Sequence, residues 1–359
     1  MSDFQKADGM MYAPKGKPNV VCAPGEFRFA AMGLDHGHIY GMCNGLIEAG
    51  GQLVAVYDPD AEKVRRFCQT YPGVRAAASE AEILEDPTLH LVAGAPVPCE
   101  RTPLGLRVME HGKDYFADKP AFTTLEQLAA AREKVRQTRR IFAVYYAERL
   151  HCEAAIYAGQ LIQEGRIGRV LHVAGLGPHR MNAPTRPPWF FERSKTGGIL
   201  CDLASHQFEQ FLAFTGARSA RVLHSRVTNY YAAQYPEFED FGDATAVADN
   251  GATFYCRVDW YTPDGLGAWG DGRTFIIGTT GTIELRKYLD VARDRASDHV
   301  YLVDARGEHH LPVQGKVGFP YFGALIRDCL DRTESAMTQE HTFLAAELSL
   351  LAQAQALRL

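Results

Sequence analysis

Nowhere in the 359 residues does an uninterrupted apolar run approach the roughly 18 residues that a membrane-spanning helix needs, so no span is predicted. Positive charge is not in surplus either. The 38 Lys and Arg face 43 Asp and Glu, a formal charge of -5, which leaves no chain-wide field to hold nucleic-acid phosphates. The eight cysteines, at 22, 43, 68, 99, 152, 201, 256 and 329, include no C-x-x-C pair, and several fall inside apolar runs. That pattern reads as reduced thiols in a cytosol, not a disulfide framework. The opening residues MSDFQKADGMMYAPKGKPN hold no apolar core of the kind a secretory signal needs, and residues 1–26, with three prolines, three glycines and three lysines, read as a surface arm.

What is present is an ordinary globular composition, 46% hydrophobic and 23% charged, over a length that suggests two domains. From Phe27 the run FRFAAM reads as a buried strand ending at Gly33. Ile39, Met42, Cys43, Leu46 and Ile47 then recur at helical spacing, and LVAVY forms a second strand ending at Asp58. This βαβ alternation continues to about residue 147, with Thr123 and Glu126 as a capping box for one helix, and predicts a parallel sheet over 27–147. Over 148–359 a helix from about Glu148 to Glu164 precedes a strand-rich stretch interrupted by one helix, GILCDLASHQFEQFLAFTG. Asp249-Asn250-Gly251 predicts a type I′ hairpin, and two more helices follow residue 319. The fold class is therefore α/β, an N-terminal doubly wound domain followed by an α+β domain with an open antiparallel sheet.

The turn after the first strand carries the first candidate site. Gly33, a helix opening near Gly37 and Asp58 at the end of the second strand follow the layout of dinucleotide-binding units. Only the first glycine of G-x-G-x-x-G is in register, since Asp35 and His38 stand where the others belong. Gly37 could still admit a pyrophosphate to the helix N-terminus, but Asp35 would repel it unless turned away. Asp58, with Asp60 and Glu62 nearby, suits ribose hydroxyls and disfavours a 2′-phosphate, so NAD is favoured over NADP; Asp58 could equally cap the helix behind Pro59. Asp118-Lys119-Pro120 places a lysine at the carboxyl edge of the sheet, as a ligand contact or a solvated loop cation. Asp202 and His206, four residues apart, share one helix face and could form an acid/base pair or merely stabilise the helix. His36-x-His38 and His309-His310 lack accompanying ligands at metal spacing, so no metal is expected.

Together Gly33, Asp58, Asp118-Lys119-Pro120, Gly197-Gly198-Ile199-Leu200-Cys201-Asp202 with His206, and Ile277-Gly278-Thr279-Thr280-Gly281-Thr282 resemble the Gfo/Idh/MocA oxidoreductases over about residues 27–355. The resemblance implies a Rossmann domain binding NAD(P), a second domain with a large open antiparallel sheet, and oxidation or reduction of a sugar, polyol or cyclitol carbon. It implies Lys119 at the reacting hydroxyl and the nicotinamide ribose, His206 as general acid/base, and Asp202 as a substrate or orienting contact. The cofactor set it implies is Gly33, Asp35, His36, Gly37, His38, Asp58, Pro96, Asp118, Lys119 and Trp189. The substrate wall it implies is His179, Arg180, Arg186 and Trp189, with Tyr146 and Arg149 as weaker candidates, although residues 175–198 could instead be a capping loop over the sheet. Two departures from the family stand out: the replaced glycines, and Arg101 where the family often has His; the family's Glu-Lys-Pro has the shorter Asp118 as its acidic residue here, and the acidic residue that often follows the His is Glu209.

An NAD-dependent dehydrogenase is the leading expectation, with a ligand sensor without turnover, or an NAD-dependent hydrolase or eliminase, as alternatives. The expected partners are a small sugar, polyol or cyclitol and further copies of the chain, as a dimer or tetramer joined through the second-domain sheet. Neither nucleic acid nor membrane is expected.

Overall fold

The computed structural model describes residues 9–359; residues 1–8 of the expected arm lie outside the described residues. The chain divides into two compact units. One comprises residues 10–145 and 318–343, the other Gly9 with residues 146–317 and 344–359. Residues 10–26 and 318–343 thus belong with the parallel-sheet unit, whereas the sequence pattern sets the first apart as an arm and assigns all of 148–359 to the second domain.

The first unit alternates β1 (Arg28–Met32), α1 (His38–Glu48), β2 (Gln52–Tyr57), α2 (Ala61–Thr70), β3 (Arg75–Ala76), α3 (Glu80–Leu84), β4 (Leu91–Gly94), α4 (Pro98–Glu110), β5 (Asp114–Asp118), α5 (Leu125–Thr138) and β6 (Phe142–Tyr145). Its strands lie in the order β3-β2-β1-β4-β5-β6, all parallel. This is the doubly wound order, with its switch point between β1 and β4. Strands β4, β5 and β6 are buried along their whole length, which is why they read as continuous apolar runs instead of alternating ones. The cap of α2 is Asp60, which accepts from the Glu62 and Lys63 amides, so the capping role open to Asp58 is filled by its neighbour. The box on α5 is likewise one residue later than the sequence suggests: Thr124 accepts from the Gln127 amide, and Gln127 returns to the Thr123 amide. The arm runs along α1, where the Glu48 carboxylate accepts the Gly16 amide at 2.9 Å and the Ala49 carbonyl accepts the Val21 amide.

The second unit holds α6 (Ala147–Leu150), α7 (Glu153–Gln163), β7 (Val170–Pro178), α8 (Arg193–Thr196), α9 (Ile199–Asp202), α10 (Ala204–Thr215), β8 (Ala220–Thr228), β9 (Phe241–Ala248), β10 (Thr253–Asp259), β11 (Arg273–Gly278), β12 (Thr282–Arg286), β13 (His299–Asp304) and β14 (Gly307–Pro312). Helix α11 (Pro320–Asp331) belongs to the first unit, and α12 (Gln339–Ala354) ends in the second, ahead of β15 (Leu357–Arg358). The nine strands lie in the order β14-β13-β12-β11-β7-β10-β9-β8-β15. The sheet is mixed, not wholly antiparallel. The meander β8-β9-β10 docks with β10 parallel to β7, and β15 runs parallel to β8.

Three local expectations need correction. The helix expected over 148–164 is two helices parted at His151 and Cys152, and the helix carrying Asp202 and His206 is broken at Leu203. The hairpin between β9 and β10 exists, but Asn250 does not take a positive φ. Instead the Gly251 amide closes a turn on the Ala248 carbonyl, and Gly251 alone adopts φ +83°, a turn with a glycine bulge in place of type I′.

Candidate active site

In the first unit the carboxyl ends of β1, β4 and β5 carry the candidate cofactor residues. Gly33 ends β1 with φ +69°, and a Cβ there would lie 2.7 Å from the Pro96 ring behind β4. Any side chain would force these two strand ends apart. Asp35 does turn away from the helix N-terminus: its carboxylate takes Lys63 Nζ at 2.6 Å and the Val97 amide at 3.2 Å. Gly37 differs from expectation. Its open side meets the arm, so that a Cβ would lie 2.5 Å from the Met10 carbonyl and 2.6 Å from Met11 Sδ.

Asp58 is buried, with Oδ2 accepting the Leu34 amide at 2.6 Å and Oδ1 the Asp60 amide at 2.8 Å. Each oxygen keeps a second lone pair for a ribose hydroxyl. Beside it a groove of about 740 Å³ runs between α2 and the end of β3, lined by Tyr57, Pro59, Val64, Arg65 and Ala77, a size suited to a nucleoside. Arg65 and Arg66 both pair with Glu62. These features fit a dinucleotide held by Gly33, Asp58 and the β1–α1 turn.

The departures in the cofactor loop converge on one carboxylate. Asp118, at the end of β5 and fully buried, receives His38 Nδ1 at 2.9 Å and the Lys119 amide at 2.8 Å. Arg101 Nη2 stands 3.0 Å from its other oxygen as an ion pair, although not aligned as a hydrogen bond. The rest of that guanidinium donates to the Pro96 carbonyl at 2.9 Å and to the Lys119 carbonyl. Burial pushes the Asp118 carboxyl up, but Arg101, His38 and His36 hold it well below the usual carboxylate range.

His36 Nδ1 lies 3.2 Å from the His38 amide and 3.2 Å from Asp118 Oδ2. Burial, then the neighbouring His38, drives the His36 imidazole well below its ordinary value. The structure thus brings to His36 and His38 the carboxylate that their sequence neighbourhood lacks, with ligand atoms all within 4.8 Å. The buried Arg101 charge occupies the place of a cation there, so the group reads as an ion-paired cluster.

In the second unit the inward face of β7 carries Val173, Gly175, Gly177 and then His179. The two glycines let α10 lie close, since a Cβ at either would fall within 3 Å of the Gln207 amide group. His206 is buried on α10, with the Tyr146 ring 6.4 Å away, while Asp202 is partly exposed on α9 beyond the Leu203 break. The N-terminus of α9 is fixed by Glu239, which accepts the Ile199 amide, and by Gln353, which accepts the Leu200 amide. Arg149 forms an ion pair with fully buried Glu209, which gives both residues a structural partner.

The expected substrate wall is held in a different way. Arg180 donates to the Pro263, Leu266 and Ala268 carbonyls, and Arg186 to the Met181 and Arg180 carbonyls while its guanidinium stacks over Phe190 and Trp260. Both are buried, and these contacts tie the 181–189 and 260–269 loops together. His179 packs against Trp260 and Trp269, and Trp189 sits partly exposed on a short 3-10 turn.

With the geometry in place, comparison with known proteins is decisive. The description "Oxidoreductase family, NAD-binding Rossmann fold" matches residues 29–146, and "GFO/IDH/MocA C-terminal domain" matches residues 156–284. The chain belongs to the Gfo/Idh/MocA oxidoreductases. A crystal structure of a provisionally named oxidoreductase from Erwinia carotovora atroseptica is 49% identical, covers 93% of this chain and 100% of its own, and superposes with a TM-score of 0.90. The scyllo-inositol 2-dehydrogenase (NAD(+)) of Bacillus subtilis is 27% identical over 289 residues, 79% of this chain and 78% of its own. Levoglucosan dehydrogenase in complex with NADH and levoglucosan, 18% identical over 92% of this chain and 95% of its own, shares the fold with a TM-score of 0.72. As a Gfo/Idh/MocA oxidoreductase the chain has an NAD-binding Rossmann domain.

Sequence reasoning overlooked Glu148, Gln207 and Lys287. Lys287, one residue past β12, continues the alternate buried positions of Ile283 and Leu285, and a lysine in an inward-facing register is a readable signal of a buried partner. Arg101, on α4, was legible only as a departure, because its partner lies at the end of β5.

Proposed function

We propose that this oxidoreductase oxidises or reduces a secondary alcohol or ketone of a sugar, polyol or cyclitol. The observation that carries the reading is that one sequence retains Lys119, Asp202 and His206, an acid/base set that a sensor would not need. The named activities of the relatives on inositol and levoglucosan support the substrate class. NAD, when bound, would supply the hydride acceptor, held by the turn at Gly33 and by Asp58.

In this reading Lys119 holds the reacting hydroxyl and the nicotinamide ribose, and His206 takes the hydroxyl proton as hydride leaves the carbon. Asp202 binds or orients the substrate, and His36 contacts the dinucleotide. We further propose a cytosolic protein that forms a dimer or tetramer through the second-unit sheet. Helices α7, α9 and α10 pack on one face of that sheet, and the other presents Phe275, Ile277, Val303 and Leu223, between 38% and 49% exposed.

The test is a panel of cyclitols, aldoses and anhydrosugars offered with NAD, followed by the absorbance of reduced nicotinamide. Turnover of one or more supports the reading. Tight substrate and NAD binding with no reduction would favour the sensor, and product formation without net reduction the hydrolase.

A further inference from the structure

Asp35 stands in the turn between β1 and α1, where the second glycine of a dinucleotide loop belongs, and its carboxylate is held from two sides. One oxygen accepts the Val97 amide at 3.2 Å, from the residue that caps α4, and the other takes Lys63 Nζ at 2.6 Å, from the first turn of α2. The same Nζ stands 3.9 Å from Asp58 Oδ1. Lys63 thus serves two carboxylates, in hydrogen-bond contact with Asp35 and within ion-pair range of Asp58.

A carboxylate in the turn that would receive a pyrophosphate is costly unless a cation accompanies it. Lys63 is that cation. The lysine side chain is 34% exposed and the aspartate 23%, and the Val97 amide fixes the aspartate, so the contact loses less to solvent and side-chain freedom than an open surface pair does. Arg65 and Arg66, by contrast, pair with Glu62 in the open. Burial pulls the Lys63 ammonium toward loss of its proton, but Asp35, Asp58 and Asp60 hold its pKa above the ordinary value, so it stays charged.

The consequence concerns the choice between dinucleotides. NADP differs from NAD by a phosphate on the adenosine 2′-oxygen, one of the ribose positions that Asp58 is placed to accept. A lysine 3.9 Å from that carboxylate, on a flexible four-carbon stem, can reach such a phosphate when nothing else holds it. Here Asp35 holds it. We propose that Asp35 is a specificity-determining residue: by keeping Lys63 on the turn, it withholds from a 2′-phosphate the ammonium that stands beside Asp58. This role rests on Asp58 as the ribose contact, and it gives a use to the aspartate that replaces a loop glycine.

The test is calorimetry of NAD and NADP on the full chain and its variants, read as the ratio of the two dissociation constants. Asp35→Asn keeps the size and an acceptor for the Val97 amide but removes the charge that holds Lys63. It should shift the ratio about tenfold toward NADP, the scale of one hydrogen bond to a charged group. Removing an anion near the pyrophosphate favours both dinucleotides alike, so the ratio carries the result and neither constant alone does. Adding Lys63→Met to Asp35→Asn should take the gain away. An unmoved ratio in folded Asp35→Asn overturns the proposal, as does a gain that survives in the double variant, which would belong to Arg65 or Arg66 instead. If Asp35→Asn does not fold, Asp35→Gly, which restores the loop glycine, is read in the same way. Tighter binding of NADP than of NAD by the wild-type chain would count against the NAD preference, whereas the role of Asp35 is read from the change between proteins alone.

Discussion

Arg101 and Asp118 form an ion pair 3.0 Å apart in which neither side chain is exposed. Each is a departure from the family pattern, the one longer than the usual His, the other shorter than the usual Glu. They are departures that fit each other, because the longer side chain reaches the shorter. His38, a third departure, fills the remaining side of the same carboxylate at 2.9 Å. Substitutions that look like losses in a linear motif are here one buried cluster beneath Lys119.

Arg101→Gln should therefore destabilise the protein by about 3–5 kcal/mol, because it leaves the Asp118 charge buried without its cation. Urea unfolding of the two proteins measures this. A difference below about 1 kcal/mol would show that the pair is not what holds the strand ends together.

Protonation of His36 is suppressed in the folded chain, so its contribution to stability is fully present above the unfolded value of about 6.5 and is lost as pH falls toward the depressed folded value. Between about pH 6.5 and 5 the unfolding free energy should fall with a slope approaching one proton, about 1.4 kcal/mol per pH unit. His36→Asn should flatten this dependence. The Asp118 contribution, held by a lowered pKa, is lost only below about pH 4, so the two are separable in one melting series. An unchanged slope in His36→Asn would contradict the assignment.

The doubly wound domain was legible because its strands are continuous apolar runs and its helices carry clean periodicity. The mixed character of the second sheet was not, since nothing in the β7 or β10 sequences states which strand they pair with. The same limit applied to the site. Gly33, Asp58 and His206 announce themselves by position in a motif, whereas Arg101 and Asp118, or Glu148 and Lys287, become partners only through tertiary contact. Arg180 and Arg186 are a different case. Their setting beside Trp and His suggested a substrate wall, and in the structure backbone carbonyls from the 260–269 loop and from residues 180 and 181 accept from Nη2 of Arg180 and from Nε and Nη2 of Arg186.

NAD should bind more tightly than NADP. Asp58 is buried at the end of β2, and Arg65 and Arg66 are paired with Glu62, so the nearby arginines already have an anion. Calorimetry with both dinucleotides decides it, and tighter NADP binding would contradict the reading; Lys63, 3.9 Å from Asp58, would then be the residue to replace.

Self-association should depend on the open sheet face. Light scattering should return a multiple of 39.7 kDa at micromolar concentration, and a double change of Phe275 and Ile277 to Lys should reduce it. A wild-type monomer would refute association through this face.

The central claim, that this Gfo/Idh/MocA protein performs acid/base-assisted hydride chemistry at His206, is tested most directly by His206→Ala. The measurement is turnover with the substrate found by the panel, with the NAD dissociation constant determined on the same protein. The account predicts a loss of about 10²- to 10⁴-fold in turnover and an NAD affinity that barely moves. Turnover near the wild-type rate would contradict it and remove His206 as the general base.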